Sequence, residues 1–490
     1  MAMKETNNGP LKDIRVIELG QLIAGPFCGQ LLADMGADVI KVEPPGTGDP
    51  MRSWGRGDYP LWWSVCARNK KCVTANLREN EGQELAKQLI SQADMVVENF
   101  RPGTLEKWGM DYETLSKDNP GLIMIRVSGY GQTGPYSKRA GYASVGEAIG
   151  GMRYLCGEPD RKPSRAGLSL GDSLAATYAC MGALAALHHR DTTGEGQVID
   201  ASIYESVLTV MEATIPEYTV SNYIRKRSGS YLPNIAPSNI YDCKNGSIVI
   251  GANQDTVFKR LAEAMKMPEL FEDIRFKDHI SRGENQKILD QIIDDWCSRR
   301  DVSEVEEIMQ EYSIPAGKVY RTPDMLDDPH FIEREAIVNV PSEKWPDLKM
   351  QNVFPKMSKS QGEIRWTGVD KIGAHNDEIY GSLLNLSKEE IKELKVLNLS
   401  DLVIALRPEV QPGESLNIKI VREGKEKMQG IGYLDDGTMV VVEEAKRFVG
   451  TRLNIVITGA LQTPTGRMVF GKLLNDQESN NSYKSSATQG

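Results

Sequence analysis

Asp172 is the residue of this chain best placed to do chemistry. It lies in the stretch Arg165 to Arg190, R-A-G-L-S-L-G-D-S-L-A-A-T-Y-A-C-M-G-A-L-A-A-L-H-H-R. A glycine precedes it, and the Ala/Leu-rich segment that follows reads as a buried helix. Asp172 and Ser173 are both favourable N-cap residues. A carboxylate there feels the positive end of the helix dipole, which favours its ionised form. Flanking glycines let a substrate come close to the backbone, and an ionised aspartate in that setting can serve as an acyl-accepting nucleophile. The same residue also reads as a plain helix cap, and taken alone the stretch favours that reading.

Two neighbouring motifs suggest other chemistry. Gly167-Leu168-Ser169-Leu170-Gly171 matches the G-x-S-x-G nucleophile elbow, with His330 or His375 following as a possible base. That elbow needs a central strand before it, and Arg161–Ala166 (R-K-P-S-R-A) makes a poor one. Gly129-Tyr130-Gly131-Gln132-Thr133-Gly134 matches G-x-G-x-x-G after a strand, but Pro135 and a polar loop follow where a dinucleotide site needs a helix N-terminus. A glycine-rich loop over some other ligand is compatible with it. His188 and His189 close the long helix, and no further ligands stand at metal-binding spacing, so no metal site is expected. Arg52, Arg68, Lys70, Lys71, Arg78, Arg101, Lys107, Lys138 and Arg139 interleave with the N-terminal turns. Singly they read as solvated surface; gathered at strand ends they suit an anionic, phosphate-bearing ligand.

The elements that must position these residues follow an α/β pattern. Strands are expected at Ile14–Leu19, Ala37–Glu43, Cys72–Leu77, Asp94–Asn99, Leu122–Ser128 and Gln197–Ile203, with helices over Pro26–Met35 and Glu79–Gln92. Alternating strands and helices indicate an open, Rossmann-like parallel sheet. Its domain is placed at 11–217. Around Tyr218 the chain turns polar, basic and turn-rich, and a smaller α+β domain is placed at 218–330, with one clear strand, Ser247–Ala252, and helices over Asp255–Met265, Asn285–Arg299 and Asp301–Tyr312. Residues 331–395 are irregular until a helix with a Ser387–Glu390 capping box. Five short strands (Glu414–Glu423, Gly430–Leu434, Gly437–Glu443, Leu453–Thr458 and Arg467–Phe470) with glycine-bearing turns then predict a small closed all-β barrel within 396–474. A Ser/Asn/Gln-rich tail, 475–490, is expected to be disordered.

Composition narrows the class. The 490 residues carry a net charge of -10, which argues against a chain-wide nucleic-acid surface. No apolar run approaches the ~20 residues of a membrane span, the first ten residues lack a signal-peptide core, and no membrane partner is expected. Seven scattered cysteines without a C-x-x-C pair suit a reducing cytoplasm.

Read together and in order, V-I-E-L-G-Q-L-I-A-G-P, G-A-D-V-I-K-V-E-P-P, N-K-K, V-V-E-N-F-R-P-G, G-Y-G-Q-T-G-P, S-L-G-D-S and I-G-A-H-N-D-E make the chain resemble the class III CoA-transferases from about Leu11 to Leu394. The group includes the formyl-CoA and carnitine CoA-transferases. The resemblance implies that Asp172 is the nucleophile and that catalysis runs through an acyl-aspartyl anhydride and an aspartyl-CoA thioester. Coenzyme A enters as acyl-CoA substrate, with no permanently bound cofactor. The resemblance implies CoA contacts at Ala24, Arg78, Asn99, Arg101 and Lys107, and Arg139 or Lys138 is taken as a replacement where the family pattern lapses at Ile23, Pro44 and Ala140. Backbone N–H groups near Gly171 are assigned to the developing oxyanion. The segment S-G-S-Y-L-P-N-I-A-P lacks the glycine run of formyl-CoA transferases, and Tyr142 replaces the histidine of related racemases. The segment from Gly141 to Asp172 is similar to succinyl-CoA-dependent dicarboxylate transferases, so a dicarboxyl-CoA donor and a carboxylic acid acceptor are expected. The family fold implies an interlocked homodimer.

Pro412–Lys472, with G-I-G-Y-L-D-D-G-T-M-V-V-V-E and L-Q-T-P-T-G-R-M-V-F, resembles a TRAM domain of PIN–TRAM proteins, and Leu397–Pro408 resembles the end of the preceding PIN domain. The resemblance implies RNA as a partner, held by Lys419, Arg422, Lys425, Lys427, Arg452 and Arg467. Two alternatives to the transferase therefore stand: an RNA-binding protein on an inactive transferase scaffold, and a serine hydrolase using Ser169.

Overall fold

The computed structural model describes residues 7–396, 413–424, 428–434, 438–463 and 466–473. The chain divides into two compact units, Met1–Asn398 and Leu399–Gly490. The first is built on a six-stranded parallel sheet of β1 (Arg15–Glu18), β2 (Asp38–Glu43), β3 (Lys70–Thr74), β4 (Met95–Glu98), β5 (Ile123–Ser128) and β6 (Val198–Ser202), in the order β3-β2-β1-β4-β5-β6. Every position of β4 and β5 is buried, as required of a parallel sheet covered on both faces. Each strand expected from the sequence is present. The third begins two residues early, at Lys70, because that lysine points into the protein, where it pairs with Glu18.

One face packs Val16, Val97 and Ile125 against the helix Ala24–Asp34 and the long helix Leu170–Thr193. The other packs Ile17, Val96 and Met124 against the helix Asn80–Ser91 and against Ile379, Tyr380 and Ile391 near the end of the unit. The 24-residue long helix is apolar enough over an 18-residue window, with a mean hydropathy of 1.3, to match a membrane span by length and composition, which the sequence reading did not single out. It is a core helix instead. Ala175, Ala176, Ala179, Ala183 and Ala186 bury one stripe against the sheet, while Met181 on the other side is 59% exposed. The small alanine side chains let the helix lie close to the strands.

Toward the carboxyl ends of β1 and β2, with the first residue of β3 beside them, lies a cluster of buried charges. Lys41 Nζ lies 2.9 Å from Glu18 Oε1 and 2.8 Å from Asp49 Oδ2, and Lys70 Nζ lies 2.7 Å from Glu18 Oε2. Lys41 also donates to the Gly20 carbonyl at 2.8 Å, and Asp49 accepts from the backbone N–H groups of Leu22 and Met51. Arg52 pairs with Glu43, and Arg68 with Asp34. These ions hold the turn after β1 in place. Residue 29 must be glycine here, because a Cβ would stand 1.9 Å from Glu18 Oε2.

The chain then forms an antiparallel sheet of β7 (Ser238–Cys243), β8 (Gly246–Gly251) and β9 (Ala316–Lys318) around a core of Tyr241, Ile248, Phe258, Leu289 and Trp296. Only β8 was legible beforehand, because β7 buries one residue in six and β9 has three residues. The short strands β10 (Ile337–Asn339) and β11 (Lys349–Gln351) lead back to β3: His375 Nδ1 accepts from the Cys72 N–H, Asn376 Oδ1 from the Thr74 N–H, and Tyr380 donates to the Thr74 carbonyl. The second unit is a closed five-stranded barrel, β12 (Ser415–Glu423), β13 (Gly430–Tyr433), β14 (Met439–Val442), β15 (Arg452–Thr463) and β16 (Gly466–Leu473), filled by Ile418, Ile420, Val440, Val442, Ile455 and Val469. The segment 397–408 and the tail 475–490 lie outside the described residues.

Removing one partner from a buried ion cluster leaves its counter-charges without compensation. Lys41→Met, which strands Glu18 and Asp49, is expected to cost about 3–5 kcal/mol of stability; urea unfolding of the variant against the parent measures it.

Candidate functional site

In an open parallel sheet, ligands lie outside the carboxyl ends of the strands where the strand order reverses. That point falls here between β1 and β4. The loops leaving these two strands are tied together by Asn99: its Oδ1 accepts from the Gln21 N–H and its Nδ2 donates to the Gln21 carbonyl, both at 2.8 Å. Asn99 also lies so close to Gly25 that a Cβ there would approach it to 3.2 Å. The side-chain amide of Asn99 is thus occupied in shaping the turn that leads to Ala24, which is buried and opens the following helix. Glu98 braces the same loop from below, accepting from the Phe100 N–H and pairing with Arg126, which also reaches Glu106.

The basic residues sort into two groups. Arg52, Arg68, Lys70 and Lys71, read from sequence as surface, are engaged in ion pairs with Glu43, Asp34, Glu18, Asp38 and Glu378. Arg78, Arg101, Lys107 and Arg139 are exposed. Arg101 follows β4 directly, Lys107 ends the short helix Thr104–Lys107, and Arg78 follows β3. Arg139, in the loop after β5, stacks on Tyr136 with its guanidinium 3.6 Å from the ring centre. No hydrogen bond or ion pair among the described residues links any of these to Asp172.

The long helix runs back from the carboxyl edge of the sheet, so its N-terminus opens on the same edge as the loops after β1 and β4. Its N-cap is Ser169, and Asp172 is the third residue of its first turn. Asp172 is therefore not the cap. Its half-buried carboxylate makes no hydrogen bond or ion pair with the described residues. Burial, aided by the nearby negative charge of Glu147 and opposed by Arg165, pushes its pKa up to about 6. Ionised at neutral pH, it is more basic than an ordinary aspartate.

Glu147 was missed by sequence reasoning. It is fully buried on the helix Ala143–Ile149, pairs with Arg153 at 2.8 Å, and accepts from the Gly171 N–H at 3.2 Å. This corrects the assignment of that N–H to an oxyanion, since in this state Glu147 occupies it. Gly171 is needed for the contact, because a Cβ would meet Glu147, Ile203 and the Ala143 carbonyl at 3.0–3.2 Å. A glycine two residues into a helix was the one local sign that another side chain packs there.

The serine-elbow reading fails on structure. No strand precedes Gly167, Ser169 Oγ accepts from Arg165 at 3.2 Å, and His375 is engaged with Cys72 beside β3. The glycine motif 129–134 is followed by turns and no helix, as expected. Among the described residues no cluster of His, Cys, Asp and Glu has the form of a metal site.

The profile of CoA-transferase family III matches residues 11–376. The chain is 56% identical over 390 residues to the succinyl-CoA–D-citramalate CoA-transferase of Chloroflexus aurantiacus, covering 79% of this chain and 97% of that one. It is 32% identical over 389 residues to the succinate–glutarate CoA-transferase of Agrobacterium fabrum, covering 77% and 97%. A crystal structure of a CAIB/BAIF family protein from Brucella suis superposes with a TM-score of 0.69 at 32% identity, covering 77% of this chain and all of that one.

Because Glu147 raises the Asp172 pKa, removing its charge must lower it. In Glu147→Gln, Asp172 is expected to titrate clearly below the parent value of about 6. Side-chain carboxyl NMR titration checks this, and coincident curves would refute the electrostatic link.

Proposed function

Since this enzyme belongs to CoA-transferase family III, we propose that it moves CoA from succinyl-CoA to a small dicarboxylic acid of the citramalate type, with Asp172 as nucleophile. The supporting observation is the Asp172 carboxylate itself: unbonded, basic for its type, and in the first turn of a helix opening on the sheet's ligand edge. An Asp172 oxygen attacks the thioester carbonyl, giving an acyl-aspartyl anhydride and CoA thiolate. Thiolate attacks the aspartyl carbonyl, which releases succinate and leaves an aspartyl-CoA thioester. The acceptor carboxylate attacks that thioester, forming a new anhydride and again freeing thiolate. Thiolate finally takes the new acyl group, and Asp172 returns as a carboxylate. No net proton or electron is exchanged, so the site needs no redox group. The oxyanions formed on the way are assigned to first-turn N–H groups other than that of Gly171, which Glu147 occupies; a helix leaves such groups without internal partners.

CoA is read as lying across the β1–β4 switch point, on the turn holding Ala24 and Asn99, with its phosphates toward Arg78, Arg101, Lys107 and Arg139. A homodimer is proposed, because apolar side chains such as Met181 and Val220, the latter 87% exposed, need covering. Cytoplasmic localisation is proposed from the cysteine pattern.

The barrel supports a second, separate reading as an RNA-binding module. Lys419 and Arg452 stand directly opposite each other in register and are exposed. Like charges so placed repel, and a bound phosphate would relieve this. Arg422 is also exposed and donates to the Tyr433 hydroxyl at 3.4 Å. Lys425 and Lys427 lie outside the described residues.

Asp172→Asn is expected to abolish CoA exchange while keeping the parent's oligomeric mass. Hydroxylamine should trap an acyl-aspartate at residue 172 of the parent incubated with succinyl-CoA; exchange that survives the substitution would sink the assignment. For the barrel, Lys419→Glu with Arg452→Glu is expected to weaken salt-sensitive binding of single-stranded RNA by the full chain at least tenfold, read by fluorescence anisotropy, on the scale of lost phosphate contacts. Equal binding by parent and variant, or none by either, removes RNA from the account.

A further inference from the structure

We propose that Arg165 binds the non-reacting carboxylate of the dicarboxylic acyl group and thereby sets a preference for dicarboxylates over monocarboxylates. The inference rests on the transferase reading and goes beyond it in naming the residue that recognises the substrate's second charge.

Arg165 lies four residues before the helix cap. Gly167, with φ of 80°, bends the chain between them, and the guanidinium returns to donate to Ser169 Oγ at 3.2 Å. It is thereby fixed beside the turn that holds Asp172. Two arginines before and after it along the chain are engaged by carboxylates: Arg153 by Glu147, and Arg225 by Glu212 and Glu217. Arg165 is exposed and has no ion pair among the described residues, so most of its planar donor fork is free. That fork matches a carboxylate bidentately.

The chemistry requires such a cation. Asp172 places an acidic group at the point of reaction, with the buried Glu147–Arg153 pair behind it, and the charge of Arg165 acts on Asp172 there. A succinyl group or a dicarboxylate acceptor brings a further negative charge two carbons from the reacting carbonyl. Without a compensating cation, that charge is repelled from the geometry needed for attack. A monocarboxylic acyl group brings no such charge and needs no such partner.

The test compares succinyl-CoA with butyryl-CoA, which has a methyl group in place of the carboxylate, on the full chain. The ratio of kcat/KM for succinyl-CoA over butyryl-CoA is expected to fall about a hundredfold in Arg165→Gln, the scale of a charge-assisted hydrogen bond removed. Arg165→Lys, which keeps the charge without the fork, should recover part of the ratio. A ratio unchanged in Arg165→Gln overturns the proposal. Dissociation constants of the two thioesters on Asp172→Asn protein, with and without Arg165→Gln, give the same ratio without turnover. A parent protein that transfers no CoA from succinyl-CoA therefore defeats the transferase reading alone, while the affinity ratio still decides the role of Arg165.

Discussion

Glu18 bonded by both Lys41 and Lys70 is the interaction on which the ligand edge of this sheet depends. Three charges in a dry strand layer are costly, since each ion loses several kcal/mol of hydration. Apolar residues of similar volume would hold three adjacent strands together as well. What they would not do is reach the Gly20 carbonyl or hold Asp49, whose carboxylate in turn accepts from Leu22 and Met51. The cluster converts strand register into the position of a loop. Leu22, with φ of 65°, adopts a conformation unfavourable to a branched side chain, and the bonds on either side of it keep it there. From above, Asn99 clamps Gln21. The turn before Ala24 is thus fixed from both sides before any ligand arrives, which suits the role proposed for it of holding one CoA in place while its acyl group is exchanged.

The electrostatics around Asp172 pull the other way from those around Glu18. There, carboxylates are stabilised by cations; here, burial and Glu147 destabilise the ionised form. A nucleophile must be ionised, yet a carboxylate too well stabilised attacks poorly and leaves too easily. A pKa near 6 lies between these demands. Glu147 helps set it without touching substrate: its own charge is held by Arg153, and its bond to the Gly171 N–H fixes its distance from the helix turn.

Much of the sheet could be read from sequence because its strands are runs of β-branched and apolar residues bounded by turns, a signal that buried parallel strands give strongly. The barrel was legible for a different reason: its strands are short, alternate in burial, and are separated by glycine-bearing turns. What failed was the treatment of charge. Lys70 and Arg68 were read as solvated because lysine and arginine usually are, and nothing local announces that Glu18 and Asp34 await them across the sheet. Glu147 escaped for a related reason, since its role comes from a contact between two helices separated by an exposed loop. Asp172 itself was legible as a position and misjudged as an environment. A helix start can be seen in sequence, but the burial that raises the pKa cannot.

The distribution of positive charge completes the physical picture. Cations inside the sheet domain are consumed by structural carboxylates, while Arg78, Arg101, Lys107, Arg139 and Arg165 are left without ion pairs among the described residues. This division follows from where each sits. Side chains on strands β2 and β3 are enclosed and must be neutralised within the protein, whereas those on the loops after the strands stay hydrated and keep their charge for a ligand. CoA is anionic at its phosphates, and a dicarboxylic acyl group is anionic at its far end, so the proposed substrate presents negative charge at both extremes and a neutral thioester between. An edge with free cations along the loops, and an acidic pair at the helix turn, has the complementary order. In the proposed binding mode, net repulsion at the centre is offset by attraction at the two ends.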